Sequence, residues 1–316
     1  MRKRKFLYML SWALMALLII LAILGPYIKP HSIEPSAKVF WMDNPNPESI
    51  HKKLAPPFKP DNHYILGSDP RGYDVLSLLL NGMRYTLGIA LLITIGRFLL
   101  AIPLGMYVGA TGRFKSLLSS LQWVTSAVPP LVFVYPGLLA LFYGLEVAYG
   151  IPTDHPNQII FNAIFVIAVV FIGVFPIAQQ FADRSRFWNE KLFVTASSLL
   201  GASIIRRIIR HIFPSVRSEV LFAFLADYVQ VLFLMGQLAV LGIFIGGGEV
   251  MVFQDGFATY SMAITKSGEW LGLLAYGIQR YRIYPWIIVS VLVFFVASVA
   301  IVQFFLHQQK KEFVQR

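Results

Sequence analysis

The residues in this chain that are best placed to do chemistry form a short polar segment between two long apolar runs. Residues 193–215 read FVTASSLLGASIIRRIIRHIFPS, with Gly201 near the centre. Apolar side chains on either side of the glycine are spaced for two short helices, and a glycine permits a tight turn and the close approach of another surface. We assign to this candidate loop Thr195, Ala196, Leu200, Gly201, Ala202, Ser203, Arg206, Arg207, Arg210, His211 and Pro214. Its arginines would meet either a partner protein or the anionic headgroups of lipids, so the chemistry it predicts is docking rather than bond-making.

Polar side chains inside the apolar runs form a second candidate site, because such groups are costly to place in a bilayer. They include Arg97, Asp227, Gln230 and Gln237. One hypothesis is that they face a translocation path. The other, which we favour, is that they form hydrogen bonds between helices, with Arg97 and Asp227 neutralising each other. Prolines in the same runs are expected to kink or break helices, and broken helices often line paths; they are Pro103, Pro129, Pro130, Pro136 and Pro176.

The signatures of catalysis are missing from the sequence. Zero cysteines exclude thiolate nucleophiles, disulfides and cysteine-bound metal sites. No stretch matches the phosphate-binding pattern GxxxxGK(S/T), the zinc pattern HExxH or the nucleophile pattern GxSxG. We therefore expect a chain that is not an enzyme by itself and that binds no metal and no cofactor.

The composition places both candidate sites in a membrane protein. Hydrophobic residues make up 57% of the 316 residues and charged residues only 14%, which is too apolar for a soluble domain. The net charge of +11 could suggest nucleic acid, but the Lys and Arg residues cluster beside apolar runs, as the positive-inside rule expects. We predict an all-α polytopic membrane protein that contacts lipid and no nucleic acid.

Six apolar runs are long enough to cross a bilayer as helices, which takes about 20 residues each. The predicted spans are residues 6–28, 85–110, 117–145, 158–182, 220–246 and 284–306. The first follows a basic start, but it is too long for the core of a cleavable signal and further spans follow it. We therefore expect it to remain as a transmembrane helix.

The distribution of basic residues predicts the orientation. Lys and Arg residues concentrate before the first span, between the second and third, between the fourth and fifth, and after the last, so these parts and both termini are expected in the cytoplasm. The predicted organisation is an N-terminal tail with the first span (1–28), a long extracytoplasmic loop (29–84), a five-helix core (85–306) that contains the cytoplasmic loop 183–217, and a cytoplasmic tail (307–316). The outer loop is expected to be mostly extended or irregular, with room for a short helix.

Three segments of the chain resemble one known family. Residues 63–84, HYILGSDPRGYDVLSLLLNGMR, resemble the HPLGTDxxGRDVxSRxxxGxRxSL signature of the oligopeptide/dipeptide-type permeases of ABC transporters. Residues 194–215 are similar to the EAAxxLGASxxxIIxxHIxPN loop of that family, and residues 268–286 to its PEWGxMLxxGxxYLxxxPW segment. The matching positions of the first segment are His63, Leu66, Gly67, Ser68, Asp69, Gly72, Asp74, Ser77, Gly82 and Arg84.

The resemblance implies a permease subunit of a bacterial plasma-membrane importer with the six-helix fold of type I ABC importers. Its partners would be a second, similar permease, two ATPase subunits that bind the ATP and Mg²⁺, and an extracytoplasmic solute-binding protein. Residues 183–217 would be the loop through which movement of the ATPases drives alternating access. The expected cargo is oligopeptides or dipeptides, although relatives carry nickel chelates or oligosaccharides.

Two departures from the family pattern bear on the function, besides those within the first segment, where Tyr64 and Ile65 replace a single proline and Tyr73 and Leu78 stand where the pattern has Arg. Thr195 stands where the family usually has Glu, which removes a possible salt bridge to the ATPase. The last span continues as FFLHQQKKEF where the family commonly reads LGDGLRD. A membrane scaffold or sensor subunit that transports nothing is therefore the alternative function.

Overall fold

The computed structural model describes residues 2–44, 53–255 and 258–313, and most of them are helical. Pro45 and Pro47 of the outer loop, which we predicted to be extended, lie outside these residues, as do residues 314–316 of the predicted tail. The helices are α1 (Arg2–Ile28), α2 (Val75–Thr111), α3 (Lys115–Ala127), α4 (Pro130–Gly144), α5 (Pro156–Asn189), α6 (Leu192–Leu199), α7 (Ile204–Arg207), α8 (Phe213–Val240), α9 (Trp270–Gln279) and α10 (Pro285–Phe313). The strands are β1 (Met42–Asp43), β2 (Lys53–Leu54), β3 (Gly248–Asp255) and β4 (Ala258–Thr265).

The described residues contain five helical segments that are long and apolar enough to cross a membrane. They are Lys5–Ile28, Val75–Thr111, Pro156–Asn189, Ile204–Val240 and Pro285–Phe313. A sixth span is present if α3 and α4 are taken together as one bent segment. The prediction of an all-α polytopic membrane protein is confirmed, while the orientation of the spans stays a prediction.

The third predicted span is bent rather than straight. α3 and α4 meet at an angle of 78°. Val128 between them is extended, with φ −129° and ψ 145°, because the residue before a proline is pushed out of the helical region. Pro129 and Pro130 carry no N–H and cannot continue the hydrogen bonds of α3. The other three prolines lie inside continuous helices: Pro103 in α2, Pro136 in α4 and Pro176 in α5.

The second span begins earlier than predicted. α2 starts at Val75, ten residues before the predicted start of the second span at residue 85. The reason is the cap provided by Asp74, whose carboxylate accepts hydrogen bonds from the Ser77 backbone N–H at 2.9 Å and the Ser77 hydroxyl at 2.6 Å. The predicted extracytoplasmic location of residues 29–84 stays a prediction.

Two other boundaries differ from the prediction. The fifth span was expected to reach residue 246, but α8 ends at Val240 and Gly242 takes a left-handed φ of +83°. Glycine adopts this conformation without steric cost, which ends the helix. The predicted tail 307–316 is helical up to Phe313, because α10 runs on beyond the apolar residues.

The chain divides into two compact units. The first comprises Met1–Ile89, Leu141–Asn162 and Met235–Arg316, and the second comprises Ala90–Ala140 and Ala163–Leu234. Within the first unit α1 packs on α10, with the Trp12 ring edge-on to the Phe305 ring at 4.8 Å between centroids.

The first and third family-like segments pack against each other in the first unit. Trp270 at the start of α9 is fully buried, and its ring N–H donates to the Leu79 carbonyl of α2 at 2.9 Å. Gly82 of α2 lies against the backbone of Gly268, where a Cβ atom would find no room. These motif positions therefore form one structural junction between α2 and α9.

A hairpin that the sequence analysis did not predict is tied to the first family-like segment. β3 and β4 pair antiparallel, with Gly248 opposite Thr265. The buried guanidinium of Arg71 pairs with the buried Asp69 carboxylate at 2.7 Å and donates to the Thr265 carbonyl at 2.8 Å. The turn that opens the first family-like segment thus anchors the base of the hairpin.

Glu269 is a buried acid at the start of α9. Its carboxylate caps the helix by accepting hydrogen bonds from the backbone N–H groups of Gly272 at 2.7 Å and Leu271 at 3.3 Å. Burial penalises the charged form more than these hydrogen bonds favour it, which raises the pKa of Glu269 to about 8.

The second unit is built on close contact between α2 and α5. Gly105 and Gly109 of α2 lie against the carbonyls of Ala178 and Ala182 of α5. Glycines four apart let two helix backbones approach closely. The surrounding core consists of Phe98, Ala101, Val108, Leu118, Val174, Ile177, Ala178, Phe181 and Ala182. This contact fixes the part of α2 that carries Arg97.

We predict that Gly82→Ala destabilises the protein while Gly88→Ala on the same helix does not. A Cβ at position 82 would collide with the Gly268 backbone, whereas a Cβ at position 88 has no atom within 4 Å. Overpacking of this kind costs about 1–3 kcal/mol, and the open position should gain up to about 1 kcal/mol from the better helix propensity of alanine. Thermal unfolding of the detergent-purified protein measures both. Equal midpoints for the two variants would contradict the junction.

We predict that the raised pKa of Glu269 makes the protein less stable as pH rises, because the folded state favours the protonated carboxyl group. Its folded pKa of about 8 lies above its usual value of 4.5, so the native state binds the extra proton and the free energy of unfolding falls between about pH 4.5 and 8. Glu269→Gln should remove this slope and raise stability above pH 8 by up to about 5 kcal/mol. Thermal midpoints from pH 5 to pH 9 test it.

Glu249→Gln is the matched control for Glu269→Gln. Burial alone would raise the pKa of Glu249, but the hydrogen bond and charge of Lys38, with the charge of Arg71, outweigh it and lower the pKa. A lowered pKa adds stability that is lost only as pH falls below the usual range. The control should therefore leave the slope between pH 5 and 8 unchanged; a slope that persists in Glu269→Gln would show that another group causes it.

Candidate docking loop and charged cavity

The polar segment found in the sequence folds as two short helices around a glycine turn. α6 ends in a Schellman motif, in which the Gly201 N–H donates to the Ser198 carbonyl at 3.0 Å and the Ala202 N–H to the Ser197 carbonyl at 3.1 Å. Gly201 takes a left-handed φ of +82°, and a Cβ there would meet no atom within 4 Å. Ser203 caps α7 by accepting from the Arg206 backbone N–H at 3.4 Å. The tip of the turn is consequently open to another surface.

Large apolar side chains of this loop point into solvent. Val194 and Ile212 are fully buried. By contrast Leu200 is 89% exposed, and four other apolar residues of the loop are more than 60% exposed: Leu192, Leu199, Ile205 and Ile209. Several large apolar side chains exposed within one short polar segment are typical of a site that contacts a protein or a membrane. We refer to these five exposed residues as the loop patch.

Cations surround the loop patch. Arg206 and Arg210 are exposed, whereas Arg207 is half-buried and donates to the Asn189 side-chain oxygen at 3.4 Å. The His211 ring lies edge-on to the Phe193 ring at 6.1 Å. Of the remaining residues assigned to the loop, Thr195, Ala196 and Pro214 are exposed and Ala202 is half-buried. The loop therefore combines exposed apolar and positive groups, which suits an acidic, grooved protein surface.

Thr195 does not replace the carboxylate that the family usually has at its position. Its hydroxyl donates to the Lys191 carbonyl one turn earlier in the chain at 3.3 Å, so it stays within its own helix. Such local bonding is common for threonine in helices.

Following α6–α7 the backbone is π-helical at Ile208–Ile212 and then continues directly as α8. π-helical turns are rare and are frequently found at functional sites. On the other side, α6 is separated from α5 only by Glu190 and Lys191. The loop is thus joined to two long helices by very short connections.

Arg97 and Asp227 form a buried ion pair in the second unit. The Arg97 Nη1 atom lies 2.7 Å from the Asp227 Oδ1 atom, and both residues are more than nine-tenths buried. The Nε and Nη2 atoms of Arg97 both donate to the Val169 carbonyl of α5, at 3.1 Å and 2.7 Å. Three helices, α2, α5 and α8, therefore meet at one guanidinium.

Gly173 makes this arrangement possible. A Cβ at this position of α5 would overlap the Arg97 guanidinium and its Cδ atom. The glycine leaves the groove through which Arg97 reaches the Val169 carbonyl one turn earlier. Sequence reasoning missed Gly173, because nothing near it in the chain signals its partner on α2.

A cavity of about 400 Å³ opens beside the ion pair. It is lined by Arg97, Thr125, Ser126, Ala127, Val128, Pro129, Pro130, Ile172, Gly173, Pro176, Ile177, Asp227 and Gln230. Three of the four polar residues predicted from the sequence thus come together, with Gln230 exposed at the edge. Gln237 lies further along α8 and is also exposed. The break between α3 and α4, which its prolines predicted, forms one wall.

Curated proteins with similar sequences are permeases. A putative peptide transport system permease protein of Brucella suis is 25% identical over 245 residues, covering 77% of this chain and 71% of its own length. A counterpart in Brucella melitensis shows the same identity and coverage. The dipeptide transport system permease protein DppC of Lactococcus lactis is 21% identical over 255 residues, covering 72% of this chain and 67% of its own. No protein-family profile matches the chain. These relatives confirm the resemblance to peptide and dipeptide permeases, and together with the apolar helices they indicate a multi-pass protein of the bacterial cell membrane.

We predict that replacing Asp227 alone destabilises the protein more than replacing Arg97 and Asp227 together. Asp227→Leu leaves a buried guanidinium without its carboxylate and should cost about 3–5 kcal/mol of unfolding free energy. Adding Arg97→Met should recover most of that loss, because two apolar side chains then replace two charges. Gln237→Leu on the same helix is the control and should change little. Thermal unfolding in detergent measures all three variants against the original chain; a double variant no more stable than Asp227→Leu would contradict the coupling.

Proposed function

We propose that this chain is the membrane-spanning permease subunit of an ATP-driven importer of short peptides, and that the loop patch docks on an ATPase subunit. The observation that carries the proposal is the loop itself. It presents Leu200 and Ile205 to solvent on either side of an open glycine turn, next to exposed arginines. The names of the relatives support a permease and supply peptides as the cargo class.

The path from the loop to the cavity is short and continuous. α5 carries Val169 and Gly173, and α8 carries Asp227 and Gln230, all of which surround the ion pair or its cavity. The same two helices flank the loop. α5 is connected to it by Glu190 and Lys191, and α8 continues directly from its last residue. A push on the loop patch would thus be transmitted to two walls of the cavity. In this proposal alternating access is the relative movement of those walls.

The chain would work within a larger assembly. A second, similar permease would complete the path, two ATPase subunits would bind ATP and Mg²⁺ and supply the energy, and a solute-binding protein would deliver the cargo from outside. This chain would contribute no catalytic group. Nickel chelates or oligosaccharides are the other cargo classes that the family resemblance leaves open.

A scaffold or sensor subunit is the competing function, and Thr195 is the observation that favours it. Because its hydroxyl is bonded within α6, the loop lacks the carboxylate that would anchor an ATPase in related permeases. If the loop patch does not bind an ATPase without that carboxylate, the scaffold or sensor function is favoured.

We predict that Leu200→Asp releases the ATPase. Burial of one leucine at an interface contributes about 1.5–3 kcal/mol, so its replacement by a charged residue should weaken docking at least about tenfold. The measurement is co-purification of the ATPase subunit with the tagged chain, expressed together with its neighbouring genes and extracted in detergent.

Phe114→Asp is the matched control. Phe114 is also exposed, lies in a predicted cytoplasmic turn and has a left-handed φ of 60°, a conformation that aspartate tolerates better than most residues. It should leave the ATPase bound. Loss of the ATPase from both variants would indicate a general effect of the new charge, and retention in both would contradict docking through the loop patch.

A further inference from the structure

The cavity beside Arg97 and Asp227 is lined by a carboxylate oxygen that accepts no hydrogen bond from the described residues. Asp227 uses its Oδ1 atom for Arg97, while its Oδ2 atom is buried and has no hydrogen-bond partner among the described residues. An unpaired carboxylate oxygen inside a protein is costly. Building on the proposed function, we propose that this cavity is a subsite for the N-terminal ammonium group of the transported peptide, with Asp227 Oδ2 as its anchor.

The broken end of α3 supplies further acceptors on the opposite wall. In a continuous helix the carbonyls of Thr125 and Ser126 would accept from the residues four positions later. Those residues are Pro129 and Pro130, which have no N–H to donate. Both Thr125 and Ser126 line the cavity. The C-terminal end of a helix also carries partial negative charge, which attracts cations.

The charges that face the cavity favour a cation over an anion. Arg97 and Asp227 are the ionisable residues that line it, and they neutralise each other. Three nitrogens of Arg97 are already engaged by Asp227 and the Val169 carbonyl, so the guanidinium is poorly available to a ligand carboxylate. The other polar groups that line the cavity can accept hydrogen bonds from a cation. They are the Asp227 Oδ2 atom, the end of α3 and the side-chain amide of Gln230.

The size of the cavity favours an ammonium carried by a larger molecule. About 400 Å³ far exceeds the space of a single inorganic ion and falls within the range of small-molecule sites. The apolar part of the lining, Ile172, Pro176 and Ile177, would contact the body of the ligand. The ammonium could come from a peptide terminus or from another primary amine, and blocked peptides distinguish the two sources.

The first test compares three peptides: trialanine, N-acetyl-trialanine and trialanine amide. The full chain is purified with its partner permease and ATPases in detergent, without the solute-binding protein, and binding is measured by saturation-transfer NMR. Trialanine and its amide should bind alike, and the N-acetyl peptide roughly tenfold or more weaker, since a hydrogen bond to a charged group is lost. Binding of ethylamine as tight as that of trialanine would identify a general amine site and overturn the peptide subsite.

The second test changes the cavity without breaking the ion pair. Gln230→Glu adds a carboxylate at the cavity edge and should increase the preference for trialanine over N-acetyl-trialanine several-fold. Gln237→Glu, on the same helix but outside the lining, should leave that preference unchanged. Asp227→Asn, which keeps the size of the side chain, should abolish the preference where the protein still folds.

The outcomes separate this inference from the proposed function. Equal binding of trialanine and N-acetyl-trialanine, or loss of binding on amidation of the C-terminus, would overturn the ammonium subsite and leave a peptide permease intact. Absence of binding by all three peptides would overturn the subsite and the peptide cargo together. Retention of the ATPase in the same preparation would still support the importer assembly.

Discussion

The need to neutralise a positive charge at membrane depth is the constraint on which the second unit depends. Arg97 lies within an apolar span, and a guanidinium left uncompensated there would cost several kcal/mol. Asp227 and the Val169 carbonyl compensate it from two other helices. A buried ion pair adds little net stability, because desolvation offsets the attraction. Its effect is geometric: α2, α5 and α8 must keep their registers for the pair to close, and Gly173 must remain a glycine.

The same constraint connects the two candidate sites. The helices that hold the ion pair, α5 and α8, are those that continue into the α6–α7 loop. The loop has its apolar residues outside, which is unfavourable for an isolated surface, and the cavity has a carboxylate oxygen without a donor. In the proposed function each feature would be satisfied by a partner: a protein surface at the loop and a cationic ligand at the cavity. The proposed importer assembly would supply both.

Local features of the sequence were sufficient to predict the spans, the turn at Gly201 and the break at Pro129, because periodicity, a left-handed position and a missing N–H act on their immediate neighbours. The ion pair could be suggested because opposite charges in apolar spans must find each other. Gly173 could not be found, since its requirement comes from a distant residue of α2. The β3–β4 hairpin was also missed, although the sequence contains Asp255-Gly256, a dipeptide that is a known hairpin signal.

A single-cysteine cross-linking experiment tests the central claim most directly. The chain has no cysteine, so Leu200→Cys introduces one thiol at the loop patch and Phe114→Cys one at the control turn. Each is labelled in membranes with a maleimide–diazirine reagent, and the photo-products are identified with and without ATP and Mg²⁺. The account predicts that position 200, and not position 114, cross-links to an ATPase subunit with a yield that changes on adding nucleotide. Cross-links from position 200 to lipid alone would contradict it.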